Sequence, residues 1–276
     1  MYPFIEGEYI CKENILMVEQ VPIEMLSYPE EGYNNLFEIE EDSFWFQYRN
    51  RCIANVIQTY PSKRLVDVGG GNGCVTWYLQ EKGYDVTLLE PSIQGCLNAR
   101  HRGVKKIICG LLQEKNIKPG SIEALCLFDV LEHIEDDQAF LETLHSRMQT
   151  NGRIYLTVPA FKKLWSKEDK EAGHFKRYEQ DELTKLLEKT GFRVEYSNYF
   201  FGFLYLPIRL VRGLGGSIRS NQVKSSKQKG ILSKEHKSYY KKVKRLVDYL
   251  MKKEMQKMMT RPIKRGSSLI VVAKVN

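Results

Sequence analysis

No apolar run in these 276 residues approaches the ~20 that a membrane-spanning helix needs. The start, Met1-Tyr2-Pro3-Phe4-Ile5-Glu6, has neither the basic stretch nor the apolar core of a secretory signal. The six cysteines, Cys11, Cys52, Cys74, Cys96, Cys109 and Cys126, form no C-x-x-C pair, and none follows Cys126. That spacing argues against a zinc site and a disulfide framework, so a reducing cytoplasm is the expected compartment. Charge of one sign is also scarce in places. Residues 1–60 hold 3 Lys/Arg against 11 Asp/Glu, and residues 201–265 hold 18 against 3. The rest is nearly balanced at 21 against 20, so the net charge of +8 belongs to one segment rather than to the whole chain.

What is present reads as one α/β domain with additions. The apolar fraction of 42% is enough for a sizeable core. From residue 64, short apolar runs alternate with helical patterns, the arrangement of a parallel sheet with crossover helices. Strands are expected at Arg64–Val68, Asp85–Leu89, Lys106–Cys109, Ile122–Phe128, Arg153–Val158, Arg193–Phe200 and Ser268–Val275. Helices are expected over Gly73–Lys82, Ser92–Arg102 (with Ser92 as N-cap), Asp137–Met148 and Glu179–Thr190, the last closed by Gly191. Asn151-Gly152 reads as a turn. An acidic extension, 1–60, carries one amphipathic stretch, Ser43–Ile57, expected as a helix. A basic insertion, 201–265, separates the last two strands of the 61–200 and 266–276 core. Within it, Gly213–Gly230 is rich in Gly, Ser, Lys and Gln and is expected to be mobile, while Lys234–Met259 has helical spacing.

Asp67-Val68-Gly69-Gly70-Gly71-Asn72-Gly73 follows a strand and precedes a helix. Glycines there let the backbone turn tightly and let a ligand approach closely. A dinucleotide loop of the form G-x-G-x-x-G would put Gly at 74, where Cys74 stands. Glu90 ends the next strand, where a carboxylate can accept hydrogen bonds from both ribose hydroxyls of a nucleoside. The same acid would serve NAD, so it reports a ribose rather than a class.

The D-x-G-x-G-x-G spacing resembles motif I of S-adenosylmethionine-dependent class I methyltransferases. Phe44-Trp45-Phe46-x-x-Arg49-Asn50, Leu127-Phe128-Asp129-Val130-Leu131-Glu132-His133-Ile134, Val158-Pro159-Ala160, Gly173-His174-x-x-Arg177-Tyr178 and the closing Gly266-Ser-Ser-Leu-Ile-Val-Val-Ala-Lys resemble the bacterial ubiquinone/menaquinone-methylase type. The resemblance covers roughly 43–200 and 266–275. It implies a Rossmann-like α/β fold with helices on both faces and a seven-stranded sheet ordered 3-2-1-4-5-7-6, the last strand antiparallel. An N-terminal helical extension and the basic insertion would be added to it. By that resemblance Asp67, Gly69, Gly70, Gly71, Gly73, Glu90, Pro91, Phe128, Asp129 and Val130 bind S-adenosyl-L-methionine.

Methyl transfer is a displacement at carbon, for which alignment of the reacting atoms is the main requirement and a base for the acceptor's proton is optional. His133 is the leading base, since imidazole titrates near neutrality, and His174 is a second. Arg177 can grip an anionic acceptor through its planar fork. The competing readings have Glu132-His133 capping a helix and Arg177 pairing with Glu179 or Asp181. Asp129-x-x-Glu132-His133 resembles a cation-binding E-x-x-E-H pattern of some relatives, but with Asp in the first place, and no metal is assigned. Trp165 and Phe44-Trp45-Phe46 are candidate apolar walls.

The expected acceptor is a small molecule, a lipid-linked group or a saccharide. Asn198–Val211, apolar and aromatic, precedes the cationic run, so 198–265 reads as a lid or as a peripheral contact with an anionic membrane at its inner surface. Nucleic acid is disfavoured, because no aromatic-interleaved recognition module is evident. The alternatives are an NAD(P)-dependent oxidoreductase and a non-catalytic cofactor-binding scaffold.

Overall fold

A computed structural model describes residues 3–5, 10–12, 15–17, 30–112, 117–213 and 245–276. Apart from Gly213, the stretch expected to be mobile lies outside the described residues, as do positions 234–244 of the expected terminal helix.

The core strands are β3 (Arg64–Val68), β4 (Asp85–Glu90), β5 (Ile107–Cys109), β6 (Ile122–Phe128), β7 (Met148–Pro159), β8 (Phe192–Phe200) and β9 (Ser268–Val275). They lie in the order β5-β4-β3-β6-β7-β9-β8, with β9 antiparallel to both neighbours. Among the described residues the sheet has nine strands, not seven. The extra two, β1 (Ile10–Lys12) and β2 (Ile15–Met17), form a hairpin whose second strand pairs in parallel with β5. The acidic extension is therefore not purely helical. Its apolar Ile15-Leu16-Met17 covers the open hydrogen-bonding edge that β5 would otherwise present.

Alternate residues of the central strands feed two buried layers, which is why these strands read as near-continuous apolar runs. Val66, Leu125, Leu127, Ile154, Leu156, Leu269 and Val271 face one layer. Leu65, Ala124, Cys126, Tyr155, Ile270 and Val272 face the other. Asp67 falls on the second face between Leu88 and Cys126 in register, an acid set among apolar neighbours. The second layer is roofed by α2 (Phe44–Thr59), through Tyr48, Cys52, Ile53, Val56 and Ile57, and by α3 (Cys74–Glu81). Around β4 and β5, α4 (Ile93–Arg102) starts at Ser92, whose side chain accepts from the Gly95 N–H, and packs against α1 (Glu30–Glu40).

Beyond β6, α5 (Asp137–Arg147) leads into β7, which is longer than the sequence suggests. Asn151, at φ 66°, and Gly152 sit inside the strand at a register shift rather than in a separate turn. The short α6 (Lys167–Glu171) and α7 (Gln180–Lys189) follow, with Gly191 left-handed at φ 92° after α7. The apolar stretch after β8 becomes a helix, α8 (Gly202–Gly213), with Pro207 inside it. A last helix, α9, covers 245–258 and buries Met251 and Met258.

Glu254 joins these two helices to the core. Its buried carboxylate accepts from the Tyr48 hydroxyl at 2.8 Å and from the N–H groups of Phe201 and Gly202 at 2.6 and 2.7 Å. An anion at the start of α8 satisfies donors that the helix itself cannot, and it complements the helix dipole.

Candidate active site

A cleft of about 670 Å³ opens at the carboxyl ends of β3, β4 and β6, where open α/β sheets place their ligands. Asp67, Gly69, Gly70, Gly71, Glu90, Pro91, Phe128, Asp129, Val130, Glu132, His133, His174 and Arg177 all line it. Gly73 does not; it is the left-handed residue that starts α3, and a Cβ there would fall 2.8 Å from the Ala99 side chain. Gly70 is needed for a different reason, since its Cβ would lie 2.6 Å from Asp67 Oδ2. The loop thus wraps its own acid.

Asp67 is fully buried. Its Oδ2 accepts from the Thr76 hydroxyl at 2.6 Å, while Oδ1 has no partner among the described residues. Burial pushes its pKa up to about 6, against the Thr76 hydrogen bond and Arg49, which favour the anion. Glu90 is also buried. Oε2 accepts from the Gly71 N–H at 2.8 Å, and Oε1 from the Ser92 N–H at 2.9 Å and the Tyr33 hydroxyl at 3.0 Å. Burial raises its pKa, opposed by those bonds.

The other half of the cleft is charged and strained. Asp129 sits at φ 57°, in the left-handed region, held by its N–H to the Thr157 carbonyl at 2.9 Å and by the Thr157 hydroxyl at 3.1 Å. Its other carboxylate oxygen is paired with the Arg49 guanidinium, which lies over the Trp45 and Phe46 rings. Glu132 is buried, with Oε2 unpartnered among the described residues; burial and then Asp129 hold its pKa well above the usual carboxylate range. His133 Nδ1 is likewise buried and unpartnered. Burial, then His174, lowers the His133 pKa to about 4. The two imidazoles meet edge to face, with ring centres 4.8 Å apart.

Arg177 pairs with neither Glu179 nor Asp181. Its Nε donates to Asp169 at 2.8 Å and its Nη1 to the Ala160 carbonyl at 3.1 Å, because α6 brings Asp169 under the loop. His174 Nδ1 shares the same Asp169 oxygen at 3.0 Å. Burial alone would raise the Asp169 pKa, but hydrogen bonds from His174 and Arg177 hold it well below the usual range. The cation set is also rearranged. Asp129 is engaged by Arg49, and the three groups that converge within 4.8 Å are Glu132, His133 and His174, a donor set of one carboxylate and two imidazoles that can hold a divalent ion. Of the expected apolar walls, Trp45 and Phe46 reach the cleft; Phe44 packs on the core and Trp165 is not among the lining residues.

The model of the family described as a methyltransferase domain matches residues 39–197. The chain belongs to that family. This methyltransferase is 26% identical over 106 residues to the mitochondrial ubiquinone biosynthesis O-methyltransferase of Schizosaccharomyces pombe, a match spanning 36% of this chain and 39% of that relative. In fold it is similar to phosphoethanolamine N-methyltransferase 2 of Haemonchus contortus, solved with S-adenosyl-L-methionine. The TM-score is 0.57 at 15% identity, over 92% of this chain and 59% of the other. It is also similar to an S-adenosylmethionine-dependent methyltransferase of Thermotoga maritima, with TM-score 0.53 at 13% identity over 89% and 95% of the two chains. The Haemonchus contortus neighbour holds S-adenosyl-L-methionine, and nothing in the comparisons supports NAD(P) chemistry.

The cleft fits that cofactor on its own terms. An orphaned buried carboxylate oxygen on Asp67 suits a cationic amino group, and Glu90 ends its strand beside glycines that admit a close ligand. Sequence reasoning missed Tyr33, which reaches Glu90 from outside the family-matched region, and the roles of Arg49 and Asp169. An aromatic in an acidic helix gives no sequence signal for a partner 57 positions away. Arg49 stands inside the Phe44–Asn50 motif, so only its function was missed.

Proposed function

We propose that this methyltransferase transfers its methyl group to a hydroxyl oxygen of a small, partly apolar acceptor, with His133 taking the proton. The supporting observation is His133 itself, an imidazole whose Nδ1 has no partner among the described residues and which lines the same cleft as Asp67 and Glu90. With its pKa lowered to about 4, the ring is neutral at pH 7 and its lone pair is available.

When bound, S-adenosylmethionine supplies a methyl group already activated by a sulfonium, so little more is needed than alignment and a place for one proton. Asp67 would hold the cofactor's ammonium and Glu90 its ribose hydroxyls, while Gly69, Gly70 and Gly71 would let it lie against the backbone. Pro91 and Phe128, Asp129 and Val130 border the same space. His133 accepts the acceptor's proton at Nδ1, and the nearby Asp129 carboxylate favours the imidazolium so formed. Asp169 fixes His174 and Arg177 as one unit, making both of them positioning residues that shape the wall beside His133. Trp45, Phe46, Phe140, Ile134 and Ile208 offer apolar contact to the acceptor. The O-methyltransferase relative from Schizosaccharomyces pombe agrees with an oxygen acceptor.

The test is a transfer assay with methyl-labelled cofactor and a panel of phenols, alcohols and amines bearing apolar tails. Label is expected on oxygen, with His133→Ala lowering kcat by about 100-fold while cofactor affinity is kept. Label on amines alone, or an undiminished rate in His133→Ala, would overturn the proposal.

A further inference from the structure

The two helices between β8 and β9 carry an exposed apolar and cationic face that the cofactor chemistry does not use. On α8, Leu206 and Leu210 are 59% and 63% exposed, and Ile208 between them lines the cleft. Side chains two apart on a helix point to nearly opposite sides. One side of α8 therefore walls the cleft while the other offers leucines to solvent. On α9, Leu246 and Tyr249 are 60% and 57% exposed. Both helices lead away from the Glu254 junction, and their inner residues, Phe203 and Leu204 with Val247 and Met255, pack on one apolar cluster. The four exposed side chains thus lie about one to two turns from a shared anchor.

The charge around them has one sign. Arg209 on α8, Arg245, Lys252, Lys253 and Lys257 on α9 and Arg261 just after it are exposed, against Asp248, the single exposed acid on α9; Glu254 is buried and already bonded. No helix among the described residues is long and apolar enough to cross a membrane. Exposed leucines and an aromatic beside a cationic array match an anionic lipid surface, where apolar insertion and attraction to headgroups act together. A patch of this kind is otherwise a cost in water.

We infer that α8 and α9 form a membrane-docking face for anionic lipid, with α8 lying between the bilayer and the cleft that Ile208 lines. An amphiphilic acceptor can then pass from the bilayer along α8 into the cleft. That acceptor route rests on the methyl-transfer reading above, whereas docking itself does not.

The test is sedimentation of the full-length protein with phosphatidylglycerol vesicles and with phosphatidylcholine vesicles, at low and at high salt. Binding is expected to the anionic vesicles alone, weakened by salt. The double variant Leu206→Ser, Leu210→Ser is expected to lose about tenfold in vesicle affinity, about two buried side chains' worth discounted for partial insertion. A second variant, Lys252→Glu with Lys253→Glu, is expected to lose binding while S-adenosylhomocysteine affinity and melting temperature stay those of the wild type. Failure to bind anionic vesicles at low salt, or binding unchanged in both variants, would overturn the inference. So would a concentration-dependent dimer that the leucine variant abolishes, since the face would then belong to a second copy. Vesicle binding is read without turnover, so loss of docking with intact methyl transfer, or the converse, tells the two readings apart.

Discussion

Glu90 and Glu254 are bonded almost alike. Each buried carboxylate accepts from two backbone N–H groups and from one tyrosine hydroxyl. Burial raises both pKa values, and hydrogen bonds oppose it in both. They differ in access. Glu90 lines the cleft, whereas Glu254 is absent from its lining and is enclosed by Tyr48, Phe201 and α9. The same set of partners therefore makes a binding site in one place and a rivet in the other. Hydrogen-bond partners alone do not reveal a function; the open side of the carboxylate does.

The largest effects should separate the two acids. Glu90→Ala is expected to weaken S-adenosylhomocysteine binding by about 100-fold, the loss of two charge-assisted hydrogen bonds, as read by calorimetry. Glu254→Ala is expected to leave that affinity unchanged and to lower unfolding free energy by about 3 kcal/mol, because two N–H groups and a hydroxyl lose a buried acceptor. Denaturant titration measures the second effect, and a matching loss of binding in Glu254→Ala would erase the distinction.

A third acid sharpens the comparison through pH. The folded-state pKa of Asp67, about 6, lies above its ordinary 3.8. Native protein thus holds an extra proton between those values, and the contribution of this group to stability is present below pH 3.8 and lost as pH rises through 6. The cofactor's ammonium needs the anion, so affinity should fall as pH drops from 7.5 to 5. Asp67→Asn is expected to bind about tenfold more weakly at pH 7.5, to lose that pH dependence, and to melt no lower than the wild type. Calorimetry and thermal melts across this range check both halves.

Between the fold and the site, legibility in the sequence followed how local the cause was. The bounds of β3, β6 and β9 were readable because each is a mostly apolar run stopped by a polar or glycine residue. β1 and β2 were not, since three-residue strands depend on an edge supplied by β5, far along the chain. The helix α8 was hidden by Pro207, which argues against a helix unless packing and the Glu254 cap override it. In the site, Asp67 and Glu90 follow from their places at the carboxyl ends of two strands. The dependence of His174 and Arg177 on Asp169 came from a capping acid in α6, where Asp169 also accepts from Ser166.

Tyr33 is the smallest lever. Its hydroxyl occupies a lone pair of Glu90 that a ribose would use. Tyr33→Phe is expected to tighten cofactor binding by about threefold, a net hydrogen bond's worth or less, in the same titration.

Crystals soaked in S-adenosylhomocysteine bear most directly on the difference between the two carboxylates. The expected density places the ribose hydroxyls within about 3 Å of Glu90 and the amino group beside Asp67 Oδ1, with Glu254 still bonded to Tyr48. A nucleoside lying elsewhere, with Glu90 keeping its bond to Tyr33, would contradict the assignment.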